Sequence, residues 1–231
     1  MFFRKFRYVD GMPEIKTSLI YRTTAPRTNH SGPHPALVLL HGRGSDEDDL
    51  LGFAEYLDPC LLIISARAPF RFPYGGYAWY EVQEVGKPEP VQFSESYDRL
   101  VQFLSDIKQQ LPVDSKRVFL LGFSMGSMMS YSLALTKPHE IKGVIAHSGY
   151  IPEDTHLQFR WEELEKTSFF VAHGTLDPII PIQFGRRANE LLSKVKTDLT
   201  YREYPIAHQI SEESLQDLSA WLRQRIGELT R

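Results

Sequence analysis

Ser124, which has a glycine two residues before it and another two residues after it, is the strongest candidate in this chain for a reactive side chain. Residues 122 to 126 read Gly-Phe-Ser-Met-Gly, directly after an apolar run and directly before a segment of helical period. There the glycines permit a tight strand-to-helix turn that lifts the serine out of a sheet. The amide of Met125 would then face an oxyanion that forms on the substrate. The pattern predicts that Ser124 is a nucleophile, with a glycine-rich turn that has no chemistry as the alternative.

A serine hydroxyl needs a base to take its proton, and the base needs an acid to orient it. Asp177 follows the apolar run that ends at Ala172, and His208 is the only one of the eight histidines that comes after Asp177. The order serine, acid, histidine fits loops that follow successive strands of one sheet. The sequence therefore predicts Asp177 as the orienting acid and His208 as the general base, with Asp154 as the alternative acid.

A second oxyanion donor is predicted in residues 41 to 44, which read His-Gly-Arg-Gly after an earlier apolar run. Glycines allow backbone to approach a substrate closely, so the Arg43 amide is the expected donor. His41 is expected to brace this loop and is a candidate for substrate contact. A plain turn is the alternative. His147 ends another apolar run and is a further candidate for substrate contact.

Short apolar runs alternate with segments of helical period, which indicates an α/β protein with a mostly parallel sheet flanked by helices. Most runs are too apolar to alternate, as expected for strands buried on both faces. The predicted strands are Ala36 to Leu40, Leu61 to Ser65, Arg117 to Leu121, Gly143 to His147, Ser168 to Ala172 and Leu199 to Tyr204.

Five helices are predicted between these strands. In the first, Ser45 would be the N-cap and acidic residues would fill the first turn, where free amides favour negative charge. The segment Phe6 to Thr23 is expected to form an antiparallel pair at the sheet edge. No interdomain linker is apparent, so residues 1–231 are predicted to be one domain. The helices are Asp46 to Glu55, Ser94 to Gln110, Met125 to Thr136, Gln183 to Ser193 and Ser211 to Leu229.

Composition excludes several classes of protein. The chain has 231 residues, 42% of them hydrophobic, and a net charge of −3, which is typical of a globular protein without an electrostatic surface for nucleic acid. Its single cysteine allows no internal disulfide. The N-terminus lacks the apolar stretch of a signal peptide and no run is long enough to span a membrane, so a soluble, cytoplasmic protein is expected.

Four motifs together resemble the phospholipase/carboxylesterase family of α/β-hydrolases, which includes the acyl-protein thioesterases. The resemblance runs from about residue 36 to 225. It implies an α/β-hydrolase fold without a large cap domain, activity on small-molecule esters or thioesters, and no cofactor or metal. Only a short segment follows Tyr150 where many relatives insert a lid. The motifs are Leu40 to Gly44, Gly122 to Gly126, His173 to Pro178 and His208.

The resemblance also implies that residues 75 to 81 lie beside the active site, with Trp79 and Tyr80 in the acyl pocket. Core packing is the alternative for these aromatic side chains. A small open pocket lined by Trp79, Tyr80 and Met125 would suit short acyl chains. The chain departs from acyl-protein thioesterases at Met125 and Ser127, where those proteins usually have Gln and Gly.

The expected function is hydrolysis of short- to medium-chain carboxylic esters through an acyl-enzyme intermediate on Ser124. Within the same chemistry, an acyl-protein thioesterase or a lysophospholipase is the alternative. A different class of alternative is a non-catalytic α/β-hydrolase that binds a small ligand. The residues leave the natural substrate, the stereochemical preference and the oligomeric state open, with a homodimer among the alternatives.

Overall fold

The computed structural model describes residues 15–28 and 32–227. Their main feature is a sheet of seven strands, six of them parallel. Only the edge strand, Tyr21–Thr24, runs antiparallel to its neighbour. In spatial order the strands are β1 (Tyr21–Thr24), β3 (Leu62–Ala66), β2 (His34–Leu40), β8 (Val113–Phe123), β9 (Gly143–His147), β10 (Ser168–Gly174) and β11 (Asp198–Tyr204).

Two small hairpins lie between β3 and β8 in sequence. The first pairs β4 (Phe70–Arg71) with β5 (Tyr77–Ala78), and the second pairs β6 (Val82–Glu84) with β7 (Lys87–Pro88). An isolated bridge joins Ser45 to Tyr77. The first hairpin therefore contacts the loop that follows β2.

In the described part of the chain, four α-helices pack on the two faces of the sheet. The buried side chains of the first three helices share one apolar cluster on one face, and those of the last helix belong to a second cluster on the other face. The central strands β2, β3 and β9 are buried at every position, as their continuous apolar composition predicted. The helices are α1 (Pro90–Gln110), α2 (Met125–Thr136), α3 (Ile182–Ser193) and α4 (Glu212–Ile226).

The predicted mostly parallel sheet flanked by helices is confirmed, and each of the six predicted strands is present. β8 begins four residues earlier than expected and pairs along its extra length with His34. Within the described residues, the predicted N-terminal pair is represented by β1, whose partner is β3. The rest of that segment, up to residue 14, lies outside the described residues, as does the predicted end of the last helix at Leu229.

The prediction of an α-helix from Asp46 to Glu55 was wrong. This segment contains a turn followed by a 3₁₀ helix, Leu50–Tyr56. Its acidic residues do not fill a helical first turn, because the Glu47 carboxylate is buried against Arg67. Glu47 thus forms an ion pair with Arg67, the residue directly after β3, in place of the expected interaction with helix amides.

Candidate active site

Three side chains from three loops form a hydrogen-bonded line at the carboxyl edge of the sheet. The Nε2 atom of His208 lies 2.9 Å from the Oγ atom of Ser124. The Nδ1 atom of His208 lies 2.7 Å from the Oδ2 atom of Asp177. Because an ionised carboxylate can only accept, Nδ1 carries the proton and Nε2 accepts from the Ser124 hydroxyl. This arrangement can transfer the serine proton to the imidazole.

The turn at Ser124 holds the hydroxyl in a conformation that non-glycine residues rarely adopt. Ser124 has φ 53° and ψ −121° and lies between the end of β8 and the start of α2. Such backbone persists only where the surroundings hold it in place. A Cβ atom at Gly122 would overlap the Gly126 backbone, and one at Gly126 would overlap the Leu40 carbonyl of β2. Both glycines of the motif are therefore required by close backbone contacts.

Asp177 is a buried carboxylate that accepts several hydrogen bonds. Its side chain has no exposed surface. Its Oδ1 atom accepts from the amides of Ile179 and Ile180, both at 2.9 Å, while Oδ2 faces His208. Burial raises the pKa of Asp177, but the hydrogen bonds from His208 and from these two amides outweigh it, and the net pKa lies below its usual value. The carboxylate is thus held ionised beside the imidazole.

The loop that presents His208 is anchored to its neighbours by main-chain contacts. The amides of Thr175 and Leu176 donate to the carbonyls of Tyr204 and Ile206, which joins the acid loop to the base loop. The Phe123 ring lies 4.9 Å from the His208 ring, measured between centroids. These contacts fix the imidazole between the carboxylate and the hydroxyl.

The two amides predicted as oxyanion donors are free of protein acceptors. Within residues 15–28 and 32–227, neither the Arg43 nor the Met125 amide donates to a backbone or side-chain acceptor. The Met125 amide begins α2, where the first amides of a helix have no partner inside the helix. Gly44, with φ 83°, continues the turn after Arg43, and its amide donates to the Tyr77 carbonyl. Both donors are available to a substrate oxygen.

His41 and Trp79 lie beneath the loop that carries Arg43. His41 is fully buried; its Nε2 atom accepts from the Ala68 amide at 3.0 Å, so Nδ1 donates to the Gly42 carbonyl at 2.6 Å. The Trp79 indole donates to the His41 carbonyl at 3.0 Å, and the Trp79 amide donates to the Met125 sulfur. Burial lowers the pKa of His41, which keeps the ring neutral. Both residues brace the two proposed donors.

Tyr80 and His147 are also fully buried. Tyr80 packs edge-on against Phe93 of α1. The ring nitrogens of His147 face the hydroxyls of Ser148 and Ser214, so its two hydrogen-bonding atoms are both occupied. For His41, Trp79, Tyr80 and His147, direct contact with substrate stays a prediction, and complete burial argues against it.

Sequence reasoning missed the part played by Ser127. Its hydroxyl contacts two carbonyls, those of Gly122 at 2.6 Å and His147 at 2.9 Å. The Ser124 amide also donates to the His147 carbonyl. Ser127 therefore ties the turn at the nucleophile to the end of β9. Its position one residue after the motif was visible in the sequence, but nothing there indicated which carbonyls it would reach.

A cavity of about 270 Å³ lies among the loops at the carboxyl side of the sheet. Its apolar lining includes Tyr150 and Ile151, which follow β9, and Phe184, at the start of α3. The preceding Gly149 lies against the Ser124 backbone, since a Cβ there would come within 3.0 Å of the Ser124 carbonyl oxygen. The cavity therefore lies at the same edge of the sheet as Ser124, but Ser124, Asp177 and His208 are not among the residues that line it.

Two kinds of feature are absent from the described part of the chain. No group of three or more His, Cys, Asp or Glu residues is arranged to hold a metal ion there. No helix there is long and apolar enough to cross a membrane.

Comparison with known proteins gives a consistent result. Residues 24–226 match the family described as Phospholipase/Carboxylesterase. Acyl-protein thioesterase 1 of Candida albicans is 25% identical over 217 residues, covering 84% of this chain and 94% of that protein. A probable carboxylesterase SOBER1-like protein of Arabidopsis thaliana is 26% identical over 227 residues, covering 92% and 87%. The Bacillus cereus carboxylesterase crystal structure matches in fold, with a TM-score of 0.80 at 22% identity over 90% of this chain and 94% of that one.

Proposed function

The chain belongs to the phospholipase/carboxylesterase family of α/β-hydrolases, and from that premise we propose that it hydrolyses short- to medium-chain carboxylic esters with Ser124 as its nucleophile. It is a serine hydrolase of the carboxylesterase and acyl-protein thioesterase type. The observation that carries the proposal is the continuous line from the Ser124 hydroxyl through His208 to the buried Asp177 carboxylate.

In the proposed reaction, the Ser124 oxygen attacks the ester carbonyl carbon while the Nε2 atom of His208 takes the hydroxyl proton. The carbonyl oxygen becomes an oxyanion, which accepts hydrogen bonds from the amides of Arg43 and Met125. Collapse of this intermediate breaks the ester C–O bond, and His208 returns the proton to the leaving alcohol. Water, activated by the same imidazole, then releases the acid from Ser124. Asp177 stabilises the imidazolium in both steps.

The preference for short to medium acyl groups is proposed from the small size of the cavity that Tyr150 and Ile151, just after β9, line at the same edge of the sheet as Ser124. Its volume, about 270 Å³, is below the range of about 300–1,000 Å³ that is typical of pockets for drug-sized ligands. The Tyr150 and Phe184 rings on its wall are apolar and suit an acyl chain. A long acyl chain would extend beyond this cavity.

Thioester hydrolysis is the second candidate, favoured by the acyl-protein thioesterase among the relatives. The same serine, base and oxyanion donors would serve, because a thioester differs from an ester only in having sulfur in place of oxygen as the leaving atom. Rates on an ester and a thioester with the same acyl group would separate the two functions. We expect the ester to have the higher kcat/KM.

The proposal is tested with p-nitrophenyl esters from acetate to palmitate and with a fluorophosphonate probe. We expect turnover to be highest on short to medium chains, and the probe to label the wild-type protein but not Ser124→Ala. The variant should keep the wild-type melting temperature and lose turnover, because only the nucleophilic oxygen is removed. Highest turnover on palmitate would refute the chain-length preference. Absence of both labelling and turnover in the wild-type protein would refute the hydrolase itself.

A further inference from the structure

A partly buried ion pair joins Glu47 to Arg67, and neither residue takes part in the proposed reaction. The Glu47 side chain is 2% exposed. Its two carboxylate oxygens accept from Nε and Nη2 of Arg67, both at 2.5 Å. Burying a carboxylate is costly unless it is paired and fully hydrogen-bonded, so such a pair fixes the relative position of the two segments that carry it.

These two segments are the loop after β2 and the loop after β3. Arg67 directly follows β3, and the next residue, Ala68, donates its amide to the buried His41 ring. Glu47 and His41 thus bind consecutive residues of the same neighbouring loop. They also lie on either side of Arg43 in sequence, so the short stretch that carries the Arg43 amide is fixed at both ends.

Tyr77 provides a third connection through the same arginine. The Nη1 atom of Arg67 donates to the Tyr77 hydroxyl at 3.1 Å, and its guanidinium carbon lies 4.6 Å from the centre of the Tyr77 ring. The Tyr77 backbone accepts from the Gly44 amide and donates to the Ser45 carbonyl, both at 2.8 Å. Arg67 therefore also positions β5, the strand whose Tyr77 backbone is hydrogen-bonded to the turn directly after Arg43.

We propose that Glu47 and Arg67 are positioning residues that hold the Arg43 amide in place to stabilise the oxyanion. Glycines at 42 and 44 leave this loop with much intrinsic freedom, and oxyanion donors are effective only when they are already oriented before the reaction. The Glu47–Arg67 ion pair restricts the conformation of this loop without itself contacting the substrate. The inference rests on the proposed function, because it assigns these residues to its transition state.

The test substitutes Glu47→Gln, which keeps the shape of the side chain and removes its charge. We expect kcat to fall by about 10- to 100-fold with KM unchanged, less than or equal to the loss of about 10²–10³ from deleting a whole oxyanion donor. A trifluoromethyl ketone adds the Ser124 oxygen to its carbonyl and forms an oxyanion. Its Ki should rise by the same factor as kcat/KM falls. The Ki of the matching methyl ketone, which binds without forming the adduct, should not change.

Asp198→Asn is the matched control. Asp198 pairs with two nitrogens of Arg225 at 2.8 and 2.7 Å, and it lies at the start of β11, at the opposite end of the sheet from Ser124. Removing this pair should leave kcat and both Ki values at wild-type levels. Melting temperatures of all variants establish that assays are made on folded protein. If Glu47→Gln does not fold, Tyr77→Phe is used instead. We expect it to lower kcat and raise the Ki of the trifluoromethyl ketone by a smaller factor.

The outcomes separate this inference from the function on which it rests. If the wild-type protein neither hydrolyses esters nor reacts with a fluorophosphonate, the proposed function fails. If the wild-type protein is active and folded Glu47→Gln shows wild-type kcat and Ki values, only the positioning role fails. A rise in KM alone, or equal changes in Ki for the two ketones, would also overturn it, because either would indicate a general disturbance of the cleft.

Discussion

Asp177 and His208 illustrate how single residues are adjusted for this chemistry. The Asp177 side chain has no exposed surface, yet its pKa lies below the usual value, because the amides of Ile179 and Ile180 and the His208 ring satisfy both its oxygens. The charge is therefore maintained without contact with water. In the proposed reaction, a negative charge in this position favours the protonated imidazole that forms as Ser124 attacks.

Asp177→Asn tests this electrostatic role at nearly constant shape. An asparagine oxygen can still accept from the amides of Ile179 and Ile180, which directs the NH₂ group toward His208. The imidazole must then accept at Nδ1 and carry its proton on Nε2, so it cannot take a proton from Ser124. We expect kcat/KM on a p-nitrophenyl ester to fall by about 10⁴, with the fold retained.

The control for this variant is Asp114→Asn, because Asp114 pairs with Arg117 far from the nucleophile. It should retain wild-type kcat/KM. If Asp177→Asn keeps nearly full activity instead, Asp177 is not the orienting acid, and Asp154 becomes the next residue to substitute.

The sequence was sufficient to identify Ser124, Asp177 and His208 as candidates, because each follows a strand and the carboxyl ends of parallel strands meet at one edge. It was not sufficient to place Trp79 or His147. A side chain near the end of a strand can point into the cleft or into the core, and residue type does not distinguish the two. Both are in fact fully buried.

At the level of elements, the nucleophile turn depends on how closely α2 approaches β2. The backbone of Gly126, in the first turn of α2, lies directly against the carbonyls of Leu40 and His41. This contact brings the Met125 amide and the loop that carries Arg43 to the same point. The distance between helix and strand therefore sets the separation of the two proposed oxyanion donors.

Gly126→Ala would force this contact apart. The added methyl group overlaps the backbone of Leu40, which cannot turn away as a flexible side chain could. We expect the free energy of unfolding to fall by about 1–3 kcal/mol or more, the range for overpacking, and kcat to fall because the Met125 amide moves. Urea denaturation and ester hydrolysis measure the two effects.

Gly52→Ala is the matched control for that variant. A Cβ atom at Gly52 would meet nothing within 4 Å, so the same chemical change should leave both stability and kcat near wild-type values. If Gly126→Ala behaves like this control, the close contact between α2 and β2 is not required.

Helices and strands were predicted correctly where the local sequence pattern determines the structure. The prediction failed where the structure depends on a residue that is distant in sequence. The apolar runs of β2, β3, β9 and β10 determined their strands, since both faces are buried. The acidic segment after Ser45 had the pattern of a helix start. Glu47 instead pairs with Arg67, twenty residues away, and no local pattern could reveal that partner.

At the level of the whole molecule, the loops around the nucleophile rest on a layer of buried, neutral histidines. Burial lowers the pKa values of His41, His147 and His173. Each ring is hydrogen-bonded to a different segment: His41 to the Ala68 amide after β3, His147 to the Ser214 hydroxyl in the first turn of α4, and His173 to the Ile180 carbonyl. Together they join the segments that meet at the carboxyl edge of the sheet.

This layer makes the stability of the fold sensitive to acid. Burial, together with the nearby His173 and His208, lowers the pKa of His147 from 6.5 to about 3. Between these two values the unfolded chain binds a proton at this position and the folded chain does not. The free energy of unfolding therefore decreases as the pH falls through this window, by up to about 1.4 kcal/mol per pH unit from this residue.

His147→Gln tests this linkage because glutamine can still donate to the Ser214 hydroxyl but does not titrate. The variant should be less stable than the wild type at pH 8, where both states of the wild type are neutral at this position. The difference should then shrink by about 2 kcal/mol between pH 8 and pH 5, since only the wild type loses stability through His147. Urea denaturation at each pH measures the difference, and its constancy between pH 7.5 and 8.5 is the internal control. Parallel curves for the two proteins down to pH 5 would mean that His147 titrates alike in the folded and unfolded states, and that its burial does not contribute to acid sensitivity.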